Sequence, residues 1–155
     1  MTKARISAFG MALSLFSVAQ LVAGAPLSAQ EALITRRVSS DLQWGPCPAI
    51  FPKGCQIAVL HGDPSKPNAD VFLRVPGGYT IPAHSHTSAE RMILVEGKLT
   101  VRYKGAAAAL LTSGQYAYGP AALPHEAKCA VGKSCTLFIA FEGPVDANPY
   151  VGSMK

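Results

Sequence analysis

"GYTIPAHSHTSAERMILVEG", residues 78–97, holds two of the chain's four histidines, His84 and His86, one residue apart, with Glu90 four positions further on. The stretch reads as strand, and residues two apart in a strand share a face. His84 and His86 therefore project together, and their ring nitrogens can converge on one point. Glu90 has the same parity, but an extended chain would carry it about 13 Å beyond His86. It joins the histidines only if the chain reverses within "TSA", residues 87–89, so that Glu90 returns on the neighbouring strand. Glu90 also heads the apolar run "RMILV", where an inward carboxylate needs a partner. The residue types point to a divalent ion, with a further ligand supplied by His61 or His125.

The flanking sequence has the punctuation of an all-β protein. Val38 to Trp44 is expected as a first strand, followed by "QIAVLHG" (residues 56–62), "DVFLRV" (70–75), "YTIPAHSH" (79–86) and "ERMILVEG" (90–97). "KLTVRY" alternates, with Leu99, Val101 and Tyr103 on one face and Lys98, Thr100 and Arg102 on the other. Gly97 between the last two is a hairpin signal. "AAAALLTSGQYAYGP", residues 106–120, has helix-forming alanines and leucines. Its position between strands favours a strand. "PHEAKCAV" and "CTLFIAFEG" are expected to form a hairpin across Gly132-Lys133, and the tail from Pro144 reads as irregular. Many short strands with turn signals between them predict a barrel or sandwich. Single glycines and prolines, 14 and 12 in 155 residues, fit that pattern better than long helices.

Residues 1–29 read as a secretory signal peptide: Lys3 and Arg5, then an uncharged apolar stretch from Ile6 to Ala25, then a small-residue cleavage point after Ala29. An uncleaved anchor is the alternative, since the stretch is nearly long enough to span a bilayer. Residues 30–155 then form one domain, in the periplasm or secreted, with no further membrane segment. Removing Lys3 and Arg5 leaves 12 basic residues against 9 acidic ones. That mild balance, with no basic residues interleaved with aromatics, argues against a nucleic-acid surface. Four cysteines in an oxidising compartment predict disulfides. The local pairing Cys47–Cys55 and Cys129–Cys135 is expected, the first closing a proline- and glycine-rich loop, the second facing across Gly132-Lys133. The spacing does not suit a cysteine-ligated zinc site.

Taken together, these residues resemble the cupin superfamily. Its first motif is complete: Gly78, five residues, His84, one residue, His86, three residues, Glu90, six residues, Gly97. A second follows: Gly114, five residues, Pro120, then Pro124-His125. The resemblance selects His125 over His61 as the fourth ligand and implies a single cupin β-barrel, an antiparallel double-sheet jelly roll. Ala122 stands where the family usually has glycine, and Cys129 where it usually has asparagine. The implied metal set is His84, His86, Glu90 and His125, holding one divalent transition ion such as Mn, Fe, Co, Ni, Zn or Cu. An octahedral shell would keep two positions for water, substrate or dioxygen. With the leader implying export, the resemblance implies a dioxygenase-like oxidoreductase acting on a small oxygen-bearing molecule, with a homodimer as one assembly open to it. The other reading is a non-catalytic metal or small-ligand binder, or a sensor like the cupin domains of some anti-sigma factors. Glu126 has the wrong parity to serve the site, and His61, beside Gly62-Asp63, reads as a turn residue. Tyr79, Tyr103, Tyr116 and Tyr118 are candidates for packing or for the pocket wall. No acid–base residue beside the ion is identified.

Overall fold

A computed structural model describes residues 32–35 and 40–155. The chain divides into two units, Met1–Leu33 and Ile34–Lys155, and the second carries the fold. The expected leader, residues 1–29, lies outside the described residues.

Among the described residues there are eleven strands and no helix. They are β1 (Gly45–Pro46), β2 (Gln56–His61), β3 (Ala69–Val75), β4 (Thr80–Ser85), β5 (Glu90–Glu96), β6 (Lys98–Tyr103), β7 (Ala109–Thr112), β8 (Tyr116–Gly119), β9 (His125–Cys129), β10 (Cys135–Phe141) and β11 (Asn148–Pro149). One sheet has the order β1-β2-β3-β10-β5-β8 and the other β11-β4-β9-β6-β7, with every pair antiparallel. This is the expected all-β jelly roll. Period-2 alternation aims Val71, Leu73, Val75, Leu94, Leu99, Val101, Leu137 and Ile139 between the sheets. Burying each leucine is worth roughly 1.5–3 kcal/mol relative to leaving it exposed.

The strand pairings correct several local expectations. Gly97 is not a hairpin turn. It is a corner at which the chain leaves β5 in one sheet and enters β6 in the other. Its φ is +95°, and a Cβ there would stand 2.6 Å from the Ser134 carbonyl oxygen, so only glycine fits. Residues 106–120 are not one strand. They form β7 and β8, which belong to opposite sheets and are separated by a turn at Gly114. There the Gly114 N–H donates to the Leu94 carbonyl at 2.7 Å, and Gln115 O accepts from Leu94 N–H at 3.0 Å. β9 and β10 are likewise not a hairpin, because each pairs within its own sheet. Alternation reveals which side chains face inward, and both sheets of a sandwich bury the same kind of residue. It therefore carries no information about which sheet a strand joins. In place of the strand expected from Val38 to Trp44, residues 40–44 hold a turn and irregular chain, and β1 begins at Gly45.

Both disulfides pair as expected. Cys47–Cys55 has a Cα separation of 5.5 Å and Cys129–Cys135 one of 5.9 Å. Because β9 and β10 lie in different sheets, the second bond ties the two sheets together across the buried end of the core. The tail from Pro144 is more ordered than expected: β11 pairs with β4, Pro149 opposite His84 and Asn148 opposite Ser85.

Candidate metal centre

His84 faces inward because β4 contains a bulge. Ile81 pairs with Ala127 and His84 with His125, so three steps on β4 oppose two on β9. The extra residue switches the inward parity from odd (Tyr79, Ile81) to even (His84, His86). Pro82 sits at this bulge, where a missing N–H costs the ladder nothing. His125 opens β9 with inward Ala127 and Cys129 behind it, and Glu90 opens β5 with inward Met92 and Leu94 behind it. Glu90 does not return on a strand paired with β4. It reaches the histidines from the facing sheet. All four side chains are buried.

The geometry is compact. One nitrogen from each of His84, His86 and His125 lies within 4.8 Å of the other two. The Glu90 carboxyl group is 3.1 Å from His125 Nε2 through Oε1 and 3.4 Å from His86 Nε2 through Oε2. Backbone carbonyls fix the three rings. His84 Nδ1–H donates to Pro82 O at 2.7 Å, His125 Nδ1–H to Leu123 O at 3.4 Å, and His86 Nδ1–H to Asp146 O. A carbonyl oxygen only accepts, so each neutral ring carries its proton on Nδ1 and presents a lone pair at Nε2. The Asp146 carboxylate in turn accepts from Thr87 N–H at 3.1 Å, tying the tail to the end of β4.

Burial sets the protonation states. It lowers His84 to about 4, helped by the neighbouring His86 and partly offset by the Pro82 hydrogen bond. It lowers His125 to about 3, with further contributions from His84 and His86. His86 is lowered by the same burial, against the opposing pull of Asp146. Burial alone raises Glu90 to about 8. At neutral pH the cluster is thus three neutral rings and a protonated acid, not a set of ion pairs. His86 Nε2 and Glu90 Oε1 are buried without a hydrogen-bond partner in the protein. Three converging imidazoles and a carboxyl group whose proton a cation can displace fit a metal, and the nitrogen–oxygen set suits a first-row divalent ion.

Phe51, Leu73, Ile81, Met92, Leu99, Val101, Ala127, Leu137 and Ile139 wall the cavity beside the cluster. About 40 Å³ of it is open to the centre of a water molecule. Phe51 meets the His84 ring edge-on at a centroid distance of 5.1 Å. It lies in the loop closed by Cys47–Cys55, and Tyr79 OH anchors that loop by donating to Pro52 O at 2.6 Å. Tyr103 pairs with His125 in the β6–β9 ladder, and its ring lies 5.4 Å from the imidazole. Its hydroxyl is buried without a partner in the protein, and burial, then the charge of Glu90, raises its pKa.

The sequence-derived ligands His84, His86, Glu90 and His125 are therefore brought to one place. His61 ends β2 at the surface, and Glu126 faces outward to Arg102, its Oε1 accepting from Nε at 3.0 Å. Tyr116 and Tyr118 are exposed on the outer face of β8. Sequence reasoning missed Phe51 and Asp146 and left Tyr103 undecided. Only Tyr103 carried a signal, its parity with Leu99 and Val101.

A double-sheet jelly roll with three histidines at one end of its interior defines the chain as a cupin. More particularly, residues 34–146 match the model of the ChrR cupin-like domain, and the chain belongs to that family. Solved structures share the fold. An RmlC-like cupin from Shewanella frigidimarina is 19% identical, the match covering 72% of this chain and 93% of that one with a TM-score of 0.57. The polyketide cyclase RemF from Streptomyces resistomycificus is 17% identical over 78% of this chain and 88% of its own, with a TM-score of 0.63. The DMSP lyase DddQ from Ruegeria pomeroyi is 19% identical over 70% of this chain and 60% of its own, with a TM-score of 0.59. No relative was found among functionally curated proteins.

Proposed function

We propose that the chain is an exported, metal-dependent cupin acting as a dioxygenase-like oxidoreductase on a small oxygen-bearing substrate. One observation carries this reading: one nitrogen from each of His84, His86 and His125 and the Glu90 carboxyl group converge, buried, in one place. His84, His86, His125 and Glu90 would hold one divalent transition ion. Such an ion supplies Lewis acidity and, as Fe or Mn, one-electron chemistry toward dioxygen. The chain's own contributions are distinct. The carbonyls of Pro82, Leu123 and Asp146 hold the imidazoles in the ligating tautomer. Glu90, which burial keeps protonated, would release that proton to solvent on holding the ion. Phe51 and the apolar wall keep bulk water from the reacting groups. Export is supported by the pairing of all four cysteines, which suits an oxidising compartment.

A specific observation favours a second reading, a metal or small-ligand binder without turnover. The cavity beside the cluster is narrow, and Phe51 stands against His84. Zn(II) and Cu(II) also outbind Mn(II) and Fe(II) at sites of this type. Metal analysis of protein purified from its native compartment, followed by oxygen uptake with a panel of small acids and phenols, tests both. Fe or Mn with substrate-dependent uptake supports the oxygenase. Zn with no uptake supports the binder. Protein that retains no cation excludes both.

A further inference from the structure

Ladder register aligns three inward residues in one row across adjacent strands. His84 pairs with His125 between β4 and β9, and His125 pairs with Tyr103 between β9 and β6. Directly opposed residues in an antiparallel pair lie about 4.5–5.5 Å apart on the same face. Tyr103 therefore stands on the far side of His125 from His84, at the level of the proposed ligands. Its hydroxyl has no hydrogen-bond partner in the protein although it is buried. The hydroxyl of Tyr79 is satisfied by Pro52 O. A buried hydroxyl left unmatched is destabilising, so its retention calls for a partner from outside the chain.

Resting on the metal reading above, we infer that Tyr103 is the hydrogen-bond donor that orients a small carboxylate bound at the histidine cluster. Two features select that ligand class. The acceptor set favours a cation, and a cation with open positions attracts an anion. A phenol O–H donates to a carboxylate oxygen. Formate, the smallest carboxylate, serves as the probe.

The test uses the full protein loaded with Co(II) and titrated with formate, read in the visible absorption of the metal. Tyr103→Phe is expected to retain Co(II) with unchanged affinity and to bind formate about tenfold to a hundredfold more weakly, the loss typical of a hydrogen bond to a charged group. The thermal midpoint of metal-free Tyr103→Phe is expected to equal or exceed that of the wild type, because an unmatched hydroxyl has been removed. Equal formate affinity at full Co(II) occupancy overturns this inference alone. Loss of Co(II) binding, or a lowered metal-free midpoint, assigns Tyr103 a structural role and also overturns it. Wild-type protein that retains no Co(II) overturns the metal reading and this inference with it.

Discussion

Gly119 lies directly opposite Glu90 in the β5–β8 ladder, and a Cβ at Gly119 would stand 2.9 Å from the Glu90 carboxylate oxygen Oε1. The glycine is there for space, since its φ is not among the positive values of the chain. Gly119→Ala is expected to displace the carboxylate and weaken metal binding tenfold to a hundredfold, the range seen when a ligand's supporting contact is lost. Competition against a chromophoric chelator measures this directly. Wild-type affinity in the variant would remove Glu90 from the ligand set.

The shifted acid and the shifted histidines act on stability in opposite directions. The Glu90 pKa is raised from 4.5 to about 8, so the metal-free fold binds a proton that the unfolded chain has released across this window. That stabilisation is complete below about 4.5 and is lost as pH rises through about 8. The histidines are lowered from 6.5, to about 4 at His84 and about 3 at His125. Their unfolded forms bind the extra protons, so stability is lost as pH falls below 6.5. Metal-free protein should therefore be most stable between about pH 6.5 and 7 and lose stability toward pH 8, the Glu90 loss being partly offset as the unfolded histidines finish releasing their protons. Metal-loaded protein, with Glu90 already ionised, should lose nothing over the same interval. Denaturant titrations of both forms at several pH values provide the check, and parallel curves would contradict the assignment.

Ala122 has a φ of +61°, and its N–H donates to the His86 carbonyl at 2.8 Å. The turn before His125 thus keeps a left-handed backbone without the glycine that the family usually places there. Left-handed backbone costs a non-glycine residue about 1–2 kcal/mol, and the greater freedom of glycine in the unfolded chain returns part of that. Ala122→Gly should therefore stabilise the protein by about 0.5–1 kcal/mol, with metal affinity unchanged. A loss of stability on thermal unfolding would show that the alanine methyl makes packing contacts worth more than the strain.

The Cys47–Cys55 bond closes the loop that carries Phe51. Replacing both cysteines with serine should cost about 2.5 kcal/mol on a chain-entropy basis for so short a loop. The same change frees Phe51 from its place against His84, so a bound metal should pass to an external chelator faster than from the wild type. A stopped-flow chelation rate that does not change would mean that Tyr79 alone holds the loop.

The candidate cluster was legible because parity put His84 and His86 on one face, while Glu90 and His125 were picked out by the spacing of the family motifs. The sheet assignments were not legible in the same way. Gly97 and Gly132-Lys133 signal a change of direction, but a corner between sheets and a hairpin within one use the same residues. The Ala-rich stretch at 106–120 concealed a crossing between sheets for the same reason. Asp146 lay beyond reach because it meets His86 across 60 residues through a backbone carbonyl, a group that every residue carries. Phe51 depends on how a disulfide loop folds back, which no periodicity encodes.

The bulge at Pro82 and Ala83 separates two outcomes by a single codon. With the extra residue, the two histidines of β4 look into the barrel. Deleting it in frame would restore a regular ladder and turn both imidazoles to solvent, while the apolar residues before them kept their places. A lineage carrying this fold could therefore turn two of the four clustered side chains inward or outward through one three-base change, without rebuilding the barrel around them.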